Sequence, residues 1–264
     1  MESFAVCDIG KSRDMNQDAV FSSCFPIGNL DNLFIVADGM GGHNAGDYAS
    51  TYAVGRLHSL METPEEGSVS LQMQVNYAII NREIFEKGQL NPELSGMGTT
   101  LVACTIDKEF VMTAANVGDS RLYVYHKTGA LRQITRDHSY VEELVRRGQI
   151  TRDSDLYQLS KNIITRAIGA DFDVETDIFQ LELEAGDQIL LCSDGLTNMV
   201  TDDEISDILK CTFSLKEKAE KLVQMANDAG GTDNISVVLV KLPEDIISVS
   251  ETDSDTEEIE MRGL

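Results

Sequence analysis

The chain has 264 residues, of which 42% are hydrophobic, and a formal net charge of −24. A chain of this length can bury a sizeable core, most simply as one domain. The charge argues against a nucleic acid or an anionic membrane as partner, because both recruit Lys and Arg. No apolar run approaches the roughly 18 residues that span a bilayer.

The cysteines and the N-terminus predict the compartment. The five cysteines are odd in number and never stand in a Cys-x-x-Cys spacing. Most lie inside apolar runs, so we expect buried, reduced thiols. The N-terminus has no basic patch ahead of an apolar segment, and we expect no secretory signal. Together these features predict a cytoplasmic protein.

Hydrophobic periodicity predicts a mixed protein with strands and helices in blocks. In chain order, the predicted elements are strands at 4–7, 19–23 and 33–37; helices at 44–61 and from 68 onward; strands at 99–106, 110–117, 121–126 and 130–134; a polar, partly helical segment at 138–168; strands at 174–183 and 188–192; helices near 202–210 and 215–229; and a strand at 234–241. This order favours antiparallel sheets with helices packed outside them over a doubly wound parallel sheet.

The last residues differ in composition from the rest. From Glu244 onward, eight acidic residues accompany a single basic one, Arg262. Such a segment has little to bury. We therefore predict a folded domain at 1–243 and a disordered acidic tail at 244–264.

Two buried strands are predicted to end in an aspartate followed by a glycine. The runs at 33–37 and 189–192 are continuously apolar, which is typical of strands buried on both faces, and Asp38-Gly39 and Ser193-Asp194-Gly195 follow them. A carboxylate in that position is costly unless something pairs with it. Any single Asp-Gly could equally be a turn.

Three further aspartates lie at the predicted ends of strands: Asp18, Asp119 and Asp233. Carboxylates without accompanying His or Cys are hard oxygen ligands, which suit Mg²⁺ or Mn²⁺. No Gly-rich segment continues into a P-loop lysine and no G-x-S-x-G elbow is present. A glycosidase would need only two carboxylates and would leave the others unexplained.

At this point the sequence resembles the metal-dependent serine/threonine protein phosphatases of the 2C type, the PPM family, in their compact bacterial form. The resemblance covers 1 to about 242. The matching segments, in order and with Asn16 and Asp18 between the first two, are DIGKSR (8–13), VADGMGGH (36–43), GMGTTL (96–101), NVGDSR (116–121), DHS (137–139), ITRAIG (164–169), SDGL (193–196) and GGTDNI (230–235).

The resemblance implies an α+β fold, a four-layer α-β-β-α sandwich of two antiparallel sheets flanked by helices. It also implies two Mn²⁺ or Mg²⁺ ions bridged by Asp38, with the carbonyl of Gly39 on one of them. Asp194 and Asp233 would complete the shell of the second ion, and these two together with Asp38 would be the catalytic carboxylates. Asp18 would hold metal-bound water close by.

Two more residues acquire roles through the resemblance. Asp119, together with Asp194, would hold a possible third ion, and Arg13 would bind the phosphate. The implied reaction is attack on phosphorus by a hydroxide that bridges the two ions, without a covalent phosphoenzyme. The implied partners are phosphoserine and phosphothreonine proteins, substrates of a cytosolic kinase, and we expect a monomer.

The chain departs from the family pattern at two positions. Gln17 stands where many relatives have Glu, which predicts altered metal affinity. Met40 stands where animal relatives have a His proposed as general acid; His43 follows, and the proton donor stays open. The segment 138–168 matches the family's variable flap, and its cations are predicted either to contact the phosphoprotein or to form a solvated face: Arg146, Arg147, Arg152, Lys161 and Arg166.

Three functions remain as alternatives. The leading one is hydrolysis of phosphoserine and phosphothreonine in proteins. A catalytically weak regulator of the same fold that binds phosphoproteins is disfavoured by the intact aspartates Asp38, Asp194 and Asp233. Hydrolysis of small phosphoesters would keep the chemistry and change the partner.

Overall fold

The computed structural model describes residues 1–42, 45–63 and 67–244. The predicted acidic tail therefore lies outside the described residues except for Glu244, and so does His43. No helix within the described ranges has the length and apolar character needed to cross a membrane.

Eleven strands and seven helices form within these residues. The strands are β1 (Glu2–Asp8), β2 (Asp18–Ser23), β3 (Leu33–Met40), β4 (Gly98–Thr99), β5 (Leu101–Ile106), β6 (Val111–Val117), β7 (Arg121–Tyr125), β8 (Leu131–Gln133), β9 (Asp177–Glu182), β10 (Gln188–Cys192) and β11 (Ile235–Lys241). The helices are α1 (Ala45–Glu62), α2 (Val69–Leu90), α3 (Tyr140–Arg146), α4 (Asp155–Ser160), α5 (Asp194–Thr197), α6 (Asp202–Lys210) and α7 (Leu215–Asp228).

The strands form two antiparallel sheets. The first has the order β1-β11-β10-β7-β8, and the second has the order β2-β3-β5-β6-β9, with β4 paired to β3. All the pairings between these strands are antiparallel. The prediction of two antiparallel sheets is confirmed.

Helices cover the outer face of each sheet, which confirms the four-layer arrangement. Alternate residues of β3 point to opposite faces, so Leu33 and Ile35 pack under α1 and α2 while Phe34 and Val36 pack between the sheets. In the same way β10 sends Leu190 toward α6 and α7, and its neighbours toward the other sheet. Both faces of these strands are buried, which explains why they are uninterrupted apolar runs.

Polar caps fix the starts of the predicted helices. The Ser68 side chain accepts a hydrogen bond from the Leu71 amide at the start of α2. Thr201 and Ser214 form capping boxes with the glutamates three residues on, at the starts of α6 and α7. These caps satisfy amides that would otherwise lack a partner at the first turn.

The structure differs from the sequence prediction at three places. The strand predicted at 99–106 is divided at Thr100 into β4 and β5, because the Thr100 amide turns to donate to the carbonyl of Asp38. The strand predicted at 174–183 begins only at Asp177. The short helix α5, which starts at Asp194, was not predicted.

Candidate metal centre

The two sheets meet at the strand ends that carry the predicted aspartates. Asp18 opens β2 and lies opposite Asp38 at the end of β3. Asp38 shares the strand face of Phe34 and Val36, which looks into the space between the sheets. The Ser193 hydroxyl, just after β10, donates to Asp18 Oδ2 at 2.8 Å. This hydrogen bond joins the two sheets at the site.

Threonine and serine hydroxyls fix the backbone around Asp38. The Asp38 amide donates to Thr100 Oγ1 at 2.9 Å, and the Thr100 amide donates to the Asp38 carbonyl at 2.8 Å. Thr100 Oγ1 lies 2.7 Å from Ser120 Oγ, next to Asp119 in the chain. The break between β4 and β5 therefore links two of the predicted metal ligands.

The second Asp-Gly pair lies against the start of β11. Asp194 begins α5, where Asn198 Nδ2 donates to its Oδ2 at 2.9 Å. A Cβ atom on Gly195 would collide with the carbonyl oxygen of Asn234, the residue after Asp233. Only glycine allows this approach, and it brings the backbone carrying Asp194 against the backbone carrying Asp233.

Gly39 has the same role at the first pair. A Cβ atom there would collide with the carbonyl oxygens of Gly46 in α1 and of Gln17 in the loop before β2. The Gly39 amide donates to the Gln17 carbonyl at 3.0 Å. The glycine thus packs the end of β3 against α1 and that loop, while a cation on its carbonyl stays a prediction.

Burial raises the pKa of four of these carboxyls, and the charges of neighbouring aspartates raise it further. The pKa rises to about 7 for Asp18 and to about 6 for Asp194. It lies well above the usual range for Asp38 and Asp119. The charges that raise the pKa of Asp38 include that of Asp233. The five aspartates therefore lie close enough to repel one another.

Three buried carboxylate oxygens indicate whether a cation fits the site. Within 1–42, 45–63 and 67–244, Asp18 Oδ1, Asp119 Oδ1 and Asp194 Oδ1 have no hydrogen-bond partner. A buried acceptor without a donor costs about 1–3 kcal/mol. The other oxygens of Asp18 and Asp194 are held by Ser193 and Asn198, which leaves these free for another ligand. The donor set fits a hard divalent cation.

The aspartate side chains of the site do not converge on a single position for an ion. Across the described part of the chain, no three His, Cys, Asp or Glu side chains form a ready set of ligands to one ion. The unpartnered carboxylate oxygens are therefore the observation on which the fit rests.

Arg13, predicted to bind phosphate, lies at this site. Its Nη2 donates to Asp233 Oδ2 at 2.8 Å, and its side chain is 48% exposed. A cavity of about 300 Å³ is lined by Asp119 and Asp194 together with Arg121, Asp137 and Arg152. Two of the five predicted ligands therefore line an accessible cavity, while Arg13 reaches the site through its pair with Asp233.

Sequence reasoning missed Asn234 as a site residue. Its Nδ2 donates to the carbonyls of Ile9 and Met15 at 2.9 Å each, and its Oδ1 accepts from the Gln17 amide at 2.8 Å. Its own amide donates to Asp233 Oδ1. Asn234 thus ties the loop that carries Arg13 to β11. Its position directly after Asp233 was the available clue.

The flap cations divide into separate groups. Arg152 forms a two-point pair with Glu142, and Lys161 Nζ lies 3.4 Å from the Asn198 carbonyl. Arg166 instead pairs with Asp177 at 2.8 Å, outside the aspartate cavity. Arg146 is exposed at the end of α3, and its neighbour Arg147 pairs with Glu143 one turn earlier. The structure does not bring these five together.

Comparison with known proteins gives consistent matches. The family model described as protein phosphatase 2C matches residues 11–239. The chain is 44% identical to the serine/threonine phosphatase stp of Listeria welshimeri, over 89% of this chain and 93% of that protein. It is 40% identical to the protein phosphatase PhpP of Streptococcus pneumoniae, over 93% and 99% respectively. The fold is similar to that of the Mycobacterium tuberculosis serine/threonine phosphatase PstP/Ppp, with a TM-score of 0.82, 33% identity, and coverage of 92% and 98%. It is also similar to the catalytic domain of the serine/threonine protein phosphatase PstP in complex with two manganese ions, with a TM-score of 0.80, 33% identity, and the same coverage.

Proposed function

The chain belongs to the protein phosphatase 2C family, and we propose that its strand-end aspartates hold the divalent cations with which it hydrolyses phosphoserine and phosphothreonine in proteins. The observation that carries the proposal is the set of buried carboxylate oxygens without a hydrogen-bond partner in the described part of the chain, on Asp18, Asp119 and Asp194. Asp119 and Asp194 line the accessible cavity, and the cation at the site, Arg13, pairs with Asp233.

Each aspartate has a proposed task. Asp38 would be a ligand to both of two Mn²⁺ or Mg²⁺ ions, and the Gly39 carbonyl would be a ligand to one of them. Asp194 and Asp233 would hold the second ion, and Asp18 would lie beside the pair. When bound, the cations supply a water of lowered pKa for attack on phosphorus and neutralise charge on the phosphoryl oxygens.

Residues around the aspartates keep them oriented. Thr100 forms hydrogen bonds with both the amide and the carbonyl of Asp38 and so fixes its backbone. Asn198 binds one carboxylate oxygen of Asp194 and leaves the other available. Asn234 positions Asp233 relative to the loop that carries Arg13. Preorganised ligands of this kind lose little freedom when a cation binds.

Arg13 binds the phosphoryl group. Its planar guanidinium can donate two parallel hydrogen bonds to a phosphate, and it already donates to a carboxylate of the site. The ion pair with Asp233 keeps the half-exposed side chain beside a proposed metal ligand before substrate arrives. A third ion, between Asp119 and Asp194, is supported by the unpartnered oxygen on each.

The proposed partners are phosphoproteins modified by a cytosolic protein kinase. Five free cysteines, two of them buried, fit a reducing compartment. We propose a cytoplasmic monomer that acts in signalling.

Hydrolysis of a phosphothreonine peptide tests this function. The protein is measured with Mn²⁺, with Mn²⁺ and excess chelator, and as Asp38→Asn and Asp194→Asn with Mn²⁺. Among these four samples we expect turnover only for the wild type with free Mn²⁺. Asp203→Asn, an exposed aspartate of α6, is the matched control and keeps full activity. Turnover that survives chelation or either site substitution contradicts the proposal.

A further inference from the structure

A second cleft, of about 860 Å³, adjoins the aspartate cavity, and Gln133, Asp137 and Arg152 line both. Its walls come from β8, from the loop that follows β8, and from α3. Five arginines line it: Arg132, Arg136, Arg146, Arg152 and Arg166. This is a high local density of cations in a chain with a net charge of −24.

The carboxylates that line this cleft are already engaged with cations. The pairs are Asp137 with Arg121, Glu142 with Arg152, Glu143 with Arg147, and Asp177 with Arg166. Several of these are two-point contacts, such as the pair of hydrogen bonds from Arg152 to Glu142 at 2.9 Å each. Each of these carboxylates therefore neutralises the charge of its own partner, and the charges of the other arginines are not neutralised.

Three arginines of the cleft remain without an ionic partner. Arg132, Arg136 and Arg146 are exposed, and none of them forms an ion pair or a side-chain hydrogen bond with any residue of 1–42, 45–63 or 67–244. A guanidinium that is exposed and uncompensated presents its donor fork to whatever enters the cleft. The cleft therefore carries a positive surface beside the cavity of the aspartates.

The positions of the three arginines suit an extended ligand. Arg132 lies on β8, the edge strand of the first sheet, and Arg136 lies in the loop that leads from β8 to His138. Arg146 ends α3, on the flap. The three come from separate elements around one cleft, so an anionic chain crossing it meets them in turn.

We propose that this cleft binds an acidic or phosphorylated segment of the phosphoprotein substrate while the phosphoresidue lies in the aspartate cavity. The inference rests on the proposed function and adds a specificity site to it. A chain with a net charge of −24 repels acidic substrates at a distance. Three uncompensated arginines next to the cavity offset that repulsion locally, because Arg binds carboxylate and phosphate with the same fork.

Two phosphothreonine peptides of equal length test the proposal. One has neutral residues around the phosphothreonine, and the other has a run of Glu and Asp on one side. The readout is the ratio of their kcat/KM values, which a general loss of activity does not change. For the wild type with Mn²⁺ we expect the acidic peptide to be favoured by about tenfold, because several exposed ion pairs act together. We expect that preference to fall as salt rises.

The triple variant Arg132→Ala, Arg136→Ala, Arg146→Ala should bring the ratio to about one. The control is Lys210→Ala, Lys216→Ala, Lys221→Ala, which removes the same charge from exposed positions of α6 and α7 and should keep the wild-type ratio. A wild type that does not favour the acidic peptide, or a triple arginine variant that keeps the preference, overturns the proposal.

A binding measurement separates this proposal from the proposed function. A fluorescein-labelled Glu- and Asp-rich peptide without phosphate is titrated with full-length protein, and its anisotropy is recorded. We expect binding to the wild type and to the lysine variant, with about tenfold weaker binding to the arginine variant. Equal binding by all three overturns the acidic-segment site even if both peptides are hydrolysed. A protein that hydrolyses neither peptide but shows the expected binding contradicts the phosphatase function alone.

Discussion

Arg13 and Asp233 form an ion pair across the candidate metal centre, with Nη2 2.8 Å from Oδ2. They lie 220 residues apart in the chain, in the loop before β2 and in the turn before β11. The pair joins the proposed phosphate-binding residue to a proposed metal ligand. A phosphoryl group that binds Arg13 would therefore lie next to a proposed cation ligand.

Removing the guanidinium of Arg13 should weaken phosphopeptide turnover. A charged hydrogen bond contributes about 1.5–3 kcal/mol, so Arg13→Ala should lower kcat/KM by about 10- to 100-fold. Arg13→Lys keeps the charge but loses the fork, and we expect an intermediate value. Steady-state kinetics on one phosphothreonine peptide measures both. Values for Arg13→Ala within about twofold of wild type would exclude a phosphate contact.

Asn234→Ala should destabilise the protein and reduce turnover. The side chain is 4% exposed and makes three hydrogen bonds to the backbone of the loop at 9–17. Leaving those groups unpaired should lower the free energy of unfolding by about 2–4 kcal/mol. Urea unfolding measures this. Asn91→Ala, at an exposed cap, is the control and should cost about 1 kcal/mol. Equal losses in the two variants would contradict the role of Asn234.

Gly195→Ala should disturb the approach of Asp194 to Asp233. The added methyl group meets the Asn234 carbonyl oxygen, so the backbone must shift. We expect a loss of about 1–3 kcal/mol in unfolding free energy together with loss of turnover. Gly55→Ala is the matched control, because Gly55 lies in α1 with open space at its Cβ. That variant should gain about 0.5–1 kcal/mol. A Gly195→Ala protein with wild-type stability and turnover would refute the close-approach argument.

The sequence predicted the strands that are buried on both faces, for a definite reason. Both β3 and β10 pack against helices on one face and against the other sheet on the opposite face, so each has an unbroken apolar run. An aspartate directly after such a run is costly, which singled out Asp38 and Asp194. Ser68 marked the start of α2 because a cap acts on the next few residues. These features are local in the chain.

The parts that sequence reasoning missed depend on contacts between distant residues. Asn234 and Ile9 are 225 positions apart, and nothing in either segment indicates that they meet. The short helix α5 begins at an Asp-Gly pair that is equally typical of a turn. In the flap, α3 and α4 have seven and six residues, which is too few turns for periodicity to define them.

His138 should make the free energy of unfolding decrease as the pH is lowered. The Gly118 amide donates to its Nδ1 at 3.0 Å, and its Nε2 lies 3.0 Å from Arg166 Nη1 and 3.3 Å from Asp177 Oδ2. Burial and the charge of Arg166 hold the pKa of His138 below its usual value. Below about pH 6.5 the unfolded chain binds a proton that the folded ring does not, and this favours unfolding.

The variant His138→Asn checks this pH effect. Asparagine keeps an acceptor for the Gly118 amide but does not titrate, so its unfolding free energy should fall less steeply between about pH 7 and pH 5 than that of the wild type. Urea unfolding across this range gives the two slopes. Identical slopes would show that His138 contributes nothing to the acid sensitivity of the fold.

The account depends most directly on the aspartates as cation ligands, and calorimetric titration of the metal-free, full-length protein with Mn²⁺ tests it without turnover. We expect at least two ions per chain. Loss of groups that only orient ligands weakens binding by about 10- to 100-fold, so loss of the bridging ligand in Asp38→Asn should exceed that. Asp203→Asn should bind as the wild type does. If Asp38→Asn binds the same number of Mn²⁺ ions with the wild-type affinity, Asp38 does not bridge the cations and the proposed centre is wrong.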